Sequence, residues 1–208
     1  MKMSSPRRPL LGLGLLGLAQ PGLLRPALAQ PAALQFRILR SGSPIGTHRV
    51  DFSRQGDRLT VRAAVEIVVT LIGFTVFRFN HRHEEVWDGD RLQTVTSRQD
   101  RNGRVEEMTA RAAAGGVLVR GPEGEYRLPA DAAPLAWWDQ RRPGRPLFDG
   151  GNGKPMQVLW ARAPQLDGGV VFTASGDAEG EVGYGHDGIW RSLRTRGDDG
   201  SSVSYEAI

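Results

Sequence analysis

His81 and His83 stand two residues apart in a run that reads as strand, and alternate residues of a strand project from one face, so the two imidazoles could converge on one ion. Two ligands do not make a metal site. A third could come from Glu85 on the same face, or from His48 or His186 elsewhere in the chain. The competing reading is a polar stretch, Arg78 with His81, Arg82, His83 and Glu84, that makes cross-strand hydrogen bonds and holds no metal. That reading is carried forward, so no metal and no cofactor is expected. Paired acids occur at Glu84-Glu85, Glu106-Glu107 and Asp198-Asp199. Neighbours on a strand face opposite ways, so no such pair can divide acid and base duties, and each is expected to be solvated. Gly42-Ser43-Pro44-Ile45-Gly46 has its serine one position early for a nucleophile elbow, and Gly153-Lys154 runs into Pro155, which rules out a phosphate-cradling loop. The chain has no cysteine, so thiol chemistry and disulfides are excluded. No catalytic residue is assigned.

Aromatic and arginine side chains point instead to binding. Trp137 and Trp138 are followed by Arg141, Arg142 and Arg145, while Phe74, Phe77, Phe79 and Trp87 could line a concave sheet. An apolar hollow closed by an aromatic segment could hold an acyl or isoprenoid chain, with arginine meeting an anionic head. The expected ligand-binding residues are therefore Trp87, Trp137, Trp138, Arg141 and Arg142. The alternative is a dry core that the tryptophan pair merely plugs.

The elements that must position these residues are strands. Leu59, Val61, Ala63, Val65, Ile67 and Val69 alternate with Thr60, Arg62, Ala64, Glu66, Val68 and Thr70, a period of two with one apolar face. Val50 and Phe52 alternate likewise, and Gln55-Gly56-Asp57 predicts a hairpin turn between the two runs. Turn signals recur at Asp88-Gly89, Asn102-Gly103, Gly115-Gly116, Pro122 to Gly124, Gly168-Gly169, Asp187-Gly188 and Asp199-Gly200. Phe74 to Trp87 is long for one strand and is expected to bend or bulge near His81. Ala130 to Arg142 lacks alternation, and Asp131 could cap a short helix there; Pro143 to Pro155 reads as an exposed loop. The expected fold is all-β and mostly antiparallel, a curved half-barrel or barrel-like meander of about ten strands with one short helical excursion.

The first 29 residues have the form of an export leader. Lys2, Arg7 and Arg8 precede an apolar run from Leu10 to Leu24, and Ala27-Leu28-Ala29 before Gln30 has the small-x-small form of a signal peptidase site. Lys2, Arg7, Arg8 and Arg25 precede the cut and all 23 acidic residues follow it, so the remainder is formally neutral and a nucleic-acid partner is not expected. Pro6 and Pro9 flank the arginine pair and fit twin-arginine export poorly, which leaves the route open. With no cysteine to acylate and no later apolar run near the ~20 residues of a spanning helix, residues 30–208 are expected to be a single, soluble, periplasmic or secreted domain.

Phe36-Arg-Ile-Leu-Arg40, Gly42 to Val50, Phe79 to His83, Glu85-Val-Trp87, Gly89 to Leu92, Trp137-Trp138 and Gly200 to Tyr205 together resemble a family of exported bacterial proteins, the domain of unknown function DUF6134. The resemblance covers the mature chain in motif order. It departs at Asp139, where an Asn usually follows the aromatic pair, and at Gly183-Tyr184-Gly185, which replaces a Trp-Tyr-Asp type of run. The resemblance implies an antiparallel β protein similar to the curved sheets of lipoprotein carriers, and no established activity. The expectation is an exported, non-enzymatic binding module for an apolar or amphiphilic ligand. Its rivals are a structural or interaction protein of the envelope, contacting a protein partner, and a metal-assisted hydrolase.

Overall fold

The computed structural model describes residues 31–208; the leader over residues 1–29 and its cleavage point lie outside the described residues. Eight strands form a first meander: β1 (Ala33–Arg40), β2 (Ser43–Gln55), β3 (Arg58–Leu71), β4 (Phe74–Asp88), β5 (Arg91–Arg101), β6 (Arg104–Ala113), β7 (Gly116–Gly121) and β8 (Gly124–Leu128). A strap with three two-residue strands follows, β9 (Ala133–Pro134), β10 (Leu147–Phe148) and β11 (Pro155–Met156). The second meander is β12 (Val158–Pro164), β13 (Val170–Gly176), β14 (Gly180–Tyr184), β15 (Trp190–Arg196) and β16 (Ser202–Ala207). The two meanders join where β16 pairs with β1, giving one 13-stranded sheet that runs from β12 through β16 and β1 to β8.

The sheet is curled. Arg101 at the end of β5 is 2.6 Å from Asp198 in the β15–β16 turn, although β1 to β4 lie between them in the sheet. In a flat sheet these ends would stand ~24 Å apart. The concave side is filled at one end by Phe36, Val50, Leu59, Val61, Trp87, Leu92, Val95, Trp190 and Leu193, onto which the strap lays Ala132, Ala133, Trp138, Leu147 and Phe148.

The alternation read in β3 holds. Leu59, Val61 and Val65 are buried, Arg62 and Glu66 are exposed, and β2 pairs with β3 through the turn at Gly56-Asp57. Val65→Asp should therefore lower the unfolding free energy by about 2 kcal/mol, and Glu66→Lys should change it by less than about 0.5, as urea melts would measure. Equal effects would mean that the assigned register is wrong.

Three sequence readings are corrected. The long β4 does not bulge near His81. Its irregularities fall at Val76, which has no partner on β3, and where Val86 and Trp87 face Gln93 as the extra residue of β5. Ala130 to Arg142 forms turns and β9 rather than a helix, and no helix occurs among the described residues. Pro134 lies inside that segment and Pro143 closes it; proline has no N–H to donate and turns its predecessor away from the α region. Pro143 to Pro155 is not wholly an exposed loop, because β10 within it is buried and pairs in parallel with β9 and antiparallel with β11.

Candidate functional site

Pairing carries one face of β4 inward as Phe79, His81, His83, Glu85 and Trp87. Glu85, expected to be solvated, is fully buried. Arg142 Nη2 donates to Glu85 Oε2 at 2.8 Å, and Trp87 Nε1 donates to the same oxygen at 2.7 Å. Trp138 Nε1 donates to Oε1 at 3.0 Å, and His83 Nε2 is 2.9 Å from that oxygen. A carboxylate can only accept, so His83 carries its proton on Nε2, and Nδ1 is left without a partner. Burial alone would push the Glu85 carboxyl up, but the Arg142 charge and then the His83 and Trp138 contacts outweigh it and hold it well below the usual carboxylate range.

Arg142 is as buried as its partner. The guanidinium carbon lies 4.5 Å from the Trp87 ring centroid and 4.9 Å from that of Trp138, so the cation is stacked between two indoles while one nitrogen meets Glu85. Asp139 stands 4.0 Å from Arg142 Nε. Arg141, half exposed, donates to Asp139 at 2.8 Å and also pairs with Asp90. Of the five residues expected to bind ligand, Trp87 and Arg142 are thus built into a buried ion pair, Arg141 is bound to two carboxylates, and Trp137 and Trp138 line open space. Arg142 meets Glu85 through Nη2 alone, and its Nε and Nη1 are buried without a hydrogen-bond partner.

That open space is a cavity of about 200 Å³ beneath Trp137 and Trp138, walled by Val50, Val65, Ile67, Phe79, Trp190 and Tyr205 and carrying His48, His81 and His83. A second hollow of about 380 Å³ shares Ile67 and Phe79 with it and opens at the end of the sheet between Val69, Val76, Phe77 and Val203, where Arg101–Asp198 and Arg40–Asp199 pair across the rim. A larger depression of about 470 Å³ lies among Arg62, Glu84, Arg98 and Glu107, but there Arg62 already pairs with Glu84 and Arg98 with Glu107, as on any solvated face.

His81 Nε2 is 2.8 Å from Ser97 Oγ on the neighbouring strand, the cross-strand bond expected of a polar stretch. His48 packs its ring against Trp190 and Tyr205 at centroid distances of 5.2 and 5.8 Å, and its Nδ1 has no partner. Burial, helped by His81 and His83, takes the His48 pKa down to about 3. Burial and His83 take His81 to about 4 against a weaker upward pull from Asp149 and Gly150. Both are uncharged near neutral pH. Among the described residues no group of three or more His, Asp and Glu side chains is arranged to hold a metal ion, and His186, in the β14–β15 turn, does not line the cavity. Sequence reasoning put Glu85 on the histidine face but missed its burial, for which the adjoining Val86 and Trp87 were the available signal. Tyr205 and Trp190 in the cavity wall carried no signal, because only the β16–β1 pairing brings them there.

A curved antiparallel sheet that holds a strap and a partly open hollow defines a β-barrel-like protein. Residues 36–208 match the family described as Domain of unknown function (DUF6134), and the chain belongs to that family. Among solved structures it is similar to a β-barrel-like protein of the domain of unknown function DUF1849 from Brucella abortus, with a TM-score of 0.53 at 11% identity over 85% of this chain and 94% of that one. It is also similar to a DUF1089 family protein from Pseudomonas aeruginosa, with a TM-score of 0.42 at 11% identity over 82% and 92% of the two chains. No curated protein matches the chain. The first likeness supports the fold alone.

Proposed function

We propose that this protein is a non-enzymatic binding module for an amphiphilic molecule with an uncharged, hydrogen-bonding head, and that it acts outside the cytoplasm after loss of residues 1–29. The observation that carries the reading is the unfilled space beneath Trp137 and Trp138, which shares Ile67 and Phe79 with the hollow at the rim. A dry core would be packed there. The apolar chain lies along Ile67, Phe79 and Val69, and the head lies against the unpartnered nitrogens of His48 and His83. An anionic head fits poorly, since His48 and His81 are uncharged and Arg142 is already neutralised by Glu85. A hydroxyl group can donate to the bare Nδ1 of His83 at no charge cost. The rival reading, an envelope protein that contacts its partner through the sheet edges at β8 and β12, leaves a hollow lined with imidazoles without a use.

The reporter N-phenyl-1-naphthylamine should brighten on mixing with the protein and be displaced by hexadecanol. At pH 7.5 palmitate should compete about tenfold less well, and His48→Phe should weaken hexadecanol by about tenfold while the reporter still binds. A wild type that never brightens the reporter would reject the binding module, and palmitate competing as well as the alcohol would reject the uncharged head.

A further inference from the structure

The β3–β4 hairpin ends in a tip that no part of the fold covers. From Ile67 to Phe77 the chain carries no charged residue, between Glu66 on one side and Arg78 on the other. Ile72 is 89% exposed, Phe74 75%, Leu71 61% and Val76 54%, an apolar cluster at one point of an otherwise charged surface. On the β5 side, pairing of β4 stops at Phe79, so Phe74 to Phe77 project beyond that neighbour. Val69, Leu71, Phe74 and Phe77 share the inner face while Val68, Thr70 and Thr75 stand on the outer one, so the tip has no charged side to turn toward water.

The turn itself is costly. Both of its residues have positive φ, 50° at Ile72 and 78° at Gly73, a geometry that favours Asn-Gly. A β-branched residue in the left-handed region is a steric outlier. The apex therefore holds an isoleucine against the backbone's own preference.

We infer that this tip docks on a lipid bilayer, entering its interfacial layer with Ile72 leading. Three observations favour a bilayer over a protein groove. A tip that is apolar or uncharged on both faces suits immersion on all sides, whereas a protein partner needs only one face. Arg78 stands at the base of the uncharged run with no ion pair among the described residues, at the height where it would meet phosphate. Val69, Val76 and Phe77 belong both to the projecting hairpin and to the wall of the rim hollow, so an acyl or isoprenoid chain could pass from lipid into the protein along continuous apolar surface. Arg40 and Arg101 nearby are matched by Asp199 and Asp198, so apolar contact rather than net charge drives the attachment. The docking does not depend on the cavity having a ligand.

Flotation of the purified protein with phosphatidylcholine vesicles, with and without added phosphatidylglycerol, tests it. The wild type should float with both. Ile72→Asn should reduce binding by about tenfold while its Tm equals or exceeds that of the wild type, because Asn accepts the left-handed turn. Phe74→Ser should also lose binding, and Leu159→Ser, equally exposed but on β12, should keep it. The inference falls if the wild type does not float, if Leu159→Ser loses binding as Phe74→Ser does, or if the tip variants instead abolish a dimer seen by light scattering in the absence of vesicles.

Discussion

Glu85→Gln should lower the unfolding free energy by about 3–5 kcal/mol, the expected cost of taking from a buried cation its hydrogen-bonded counter-ion, with only Asp139 left at 4.0 Å. Glu85 and Arg142 have side-chain exposures of 0% and 1%, so the pair gets no help from water. Attraction across 2.8 Å offsets the desolvation of both ions only while both are present. Arg142→Met should be as damaging, since it strands the carboxylate and empties the slot between Trp87 and Trp138. The double variant Glu85→Gln/Arg142→Met should recover a large part of the loss, because neither charge then remains to be desolvated. Urea melts of the four proteins form the cycle. A single-variant loss under about 1 kcal/mol would mean that solvent reaches the pair.

Acidification should destabilise the protein well before its carboxylates titrate. In the unfolded chain His48 and His81 take up protons near their ordinary value of 6.5, whereas in the fold they hold off until about 3 and about 4. Below pH 6.5 the unfolded state therefore binds more protons, and stability falls as pH falls. Each histidine contributes up to ~1.4 kcal/mol per pH unit, so between pH 7 and 4.5 the two together remove roughly 4–5 kcal/mol. As pH falls through the ordinary carboxyl values, 4.5 for Glu85 and 3.8 for Asp139, these depressed carboxyls begin to add their own loss. Melts at pH 7, 5.5 and 4.5 measure the slope, and His48→Phe should roughly halve it. Stability that stays flat from pH 7 to 5 would show that both imidazoles are solvated.

Much of the architecture was legible because it rests on local rules. The period of two in β3 placed Val61 inside and Arg62 outside, and Gly-containing turns marked the hairpins. The strap was illegible for the same reason. Its order comes from burying Trp138, Leu147 and Phe148 against a sheet made elsewhere, not from any period of its own, and the lack of alternation was mistaken for a helix despite Pro134. The site was half legible. Parity along β4 aligned His81, His83 and Glu85, and the tryptophan and arginine cluster marked the region that covers them. Sequence could not show that Arg142 would be held by Glu85, because the two lie on the strap and on β4 and meet only when one folds over the other. An arginine that looks free in the sequence is paired with a carboxylate of its own chain, and the proposed preference for an uncharged head rests on that pairing.

The pairing of β16 with β1 has a consequence for how the chain reaches this state. β1 buries Phe36 and Ile38 completely, yet one of its two neighbours is the last strand, with Phe36 opposite Ala207. Each meander can zip up from its own hairpins in sequence, but the seam between them closes nearly the longest loop the chain contains, and contacts of that separation slow folding. Until the C-terminal strand arrives, β1 and β15 present two bare edges flanking apolar side chains, the arrangement most prone to wrong pairing between molecules. Loss of only the final six or seven residues would make that passing state permanent, so clipping at the C-terminus should cause aggregation out of proportion to the few side chains removed.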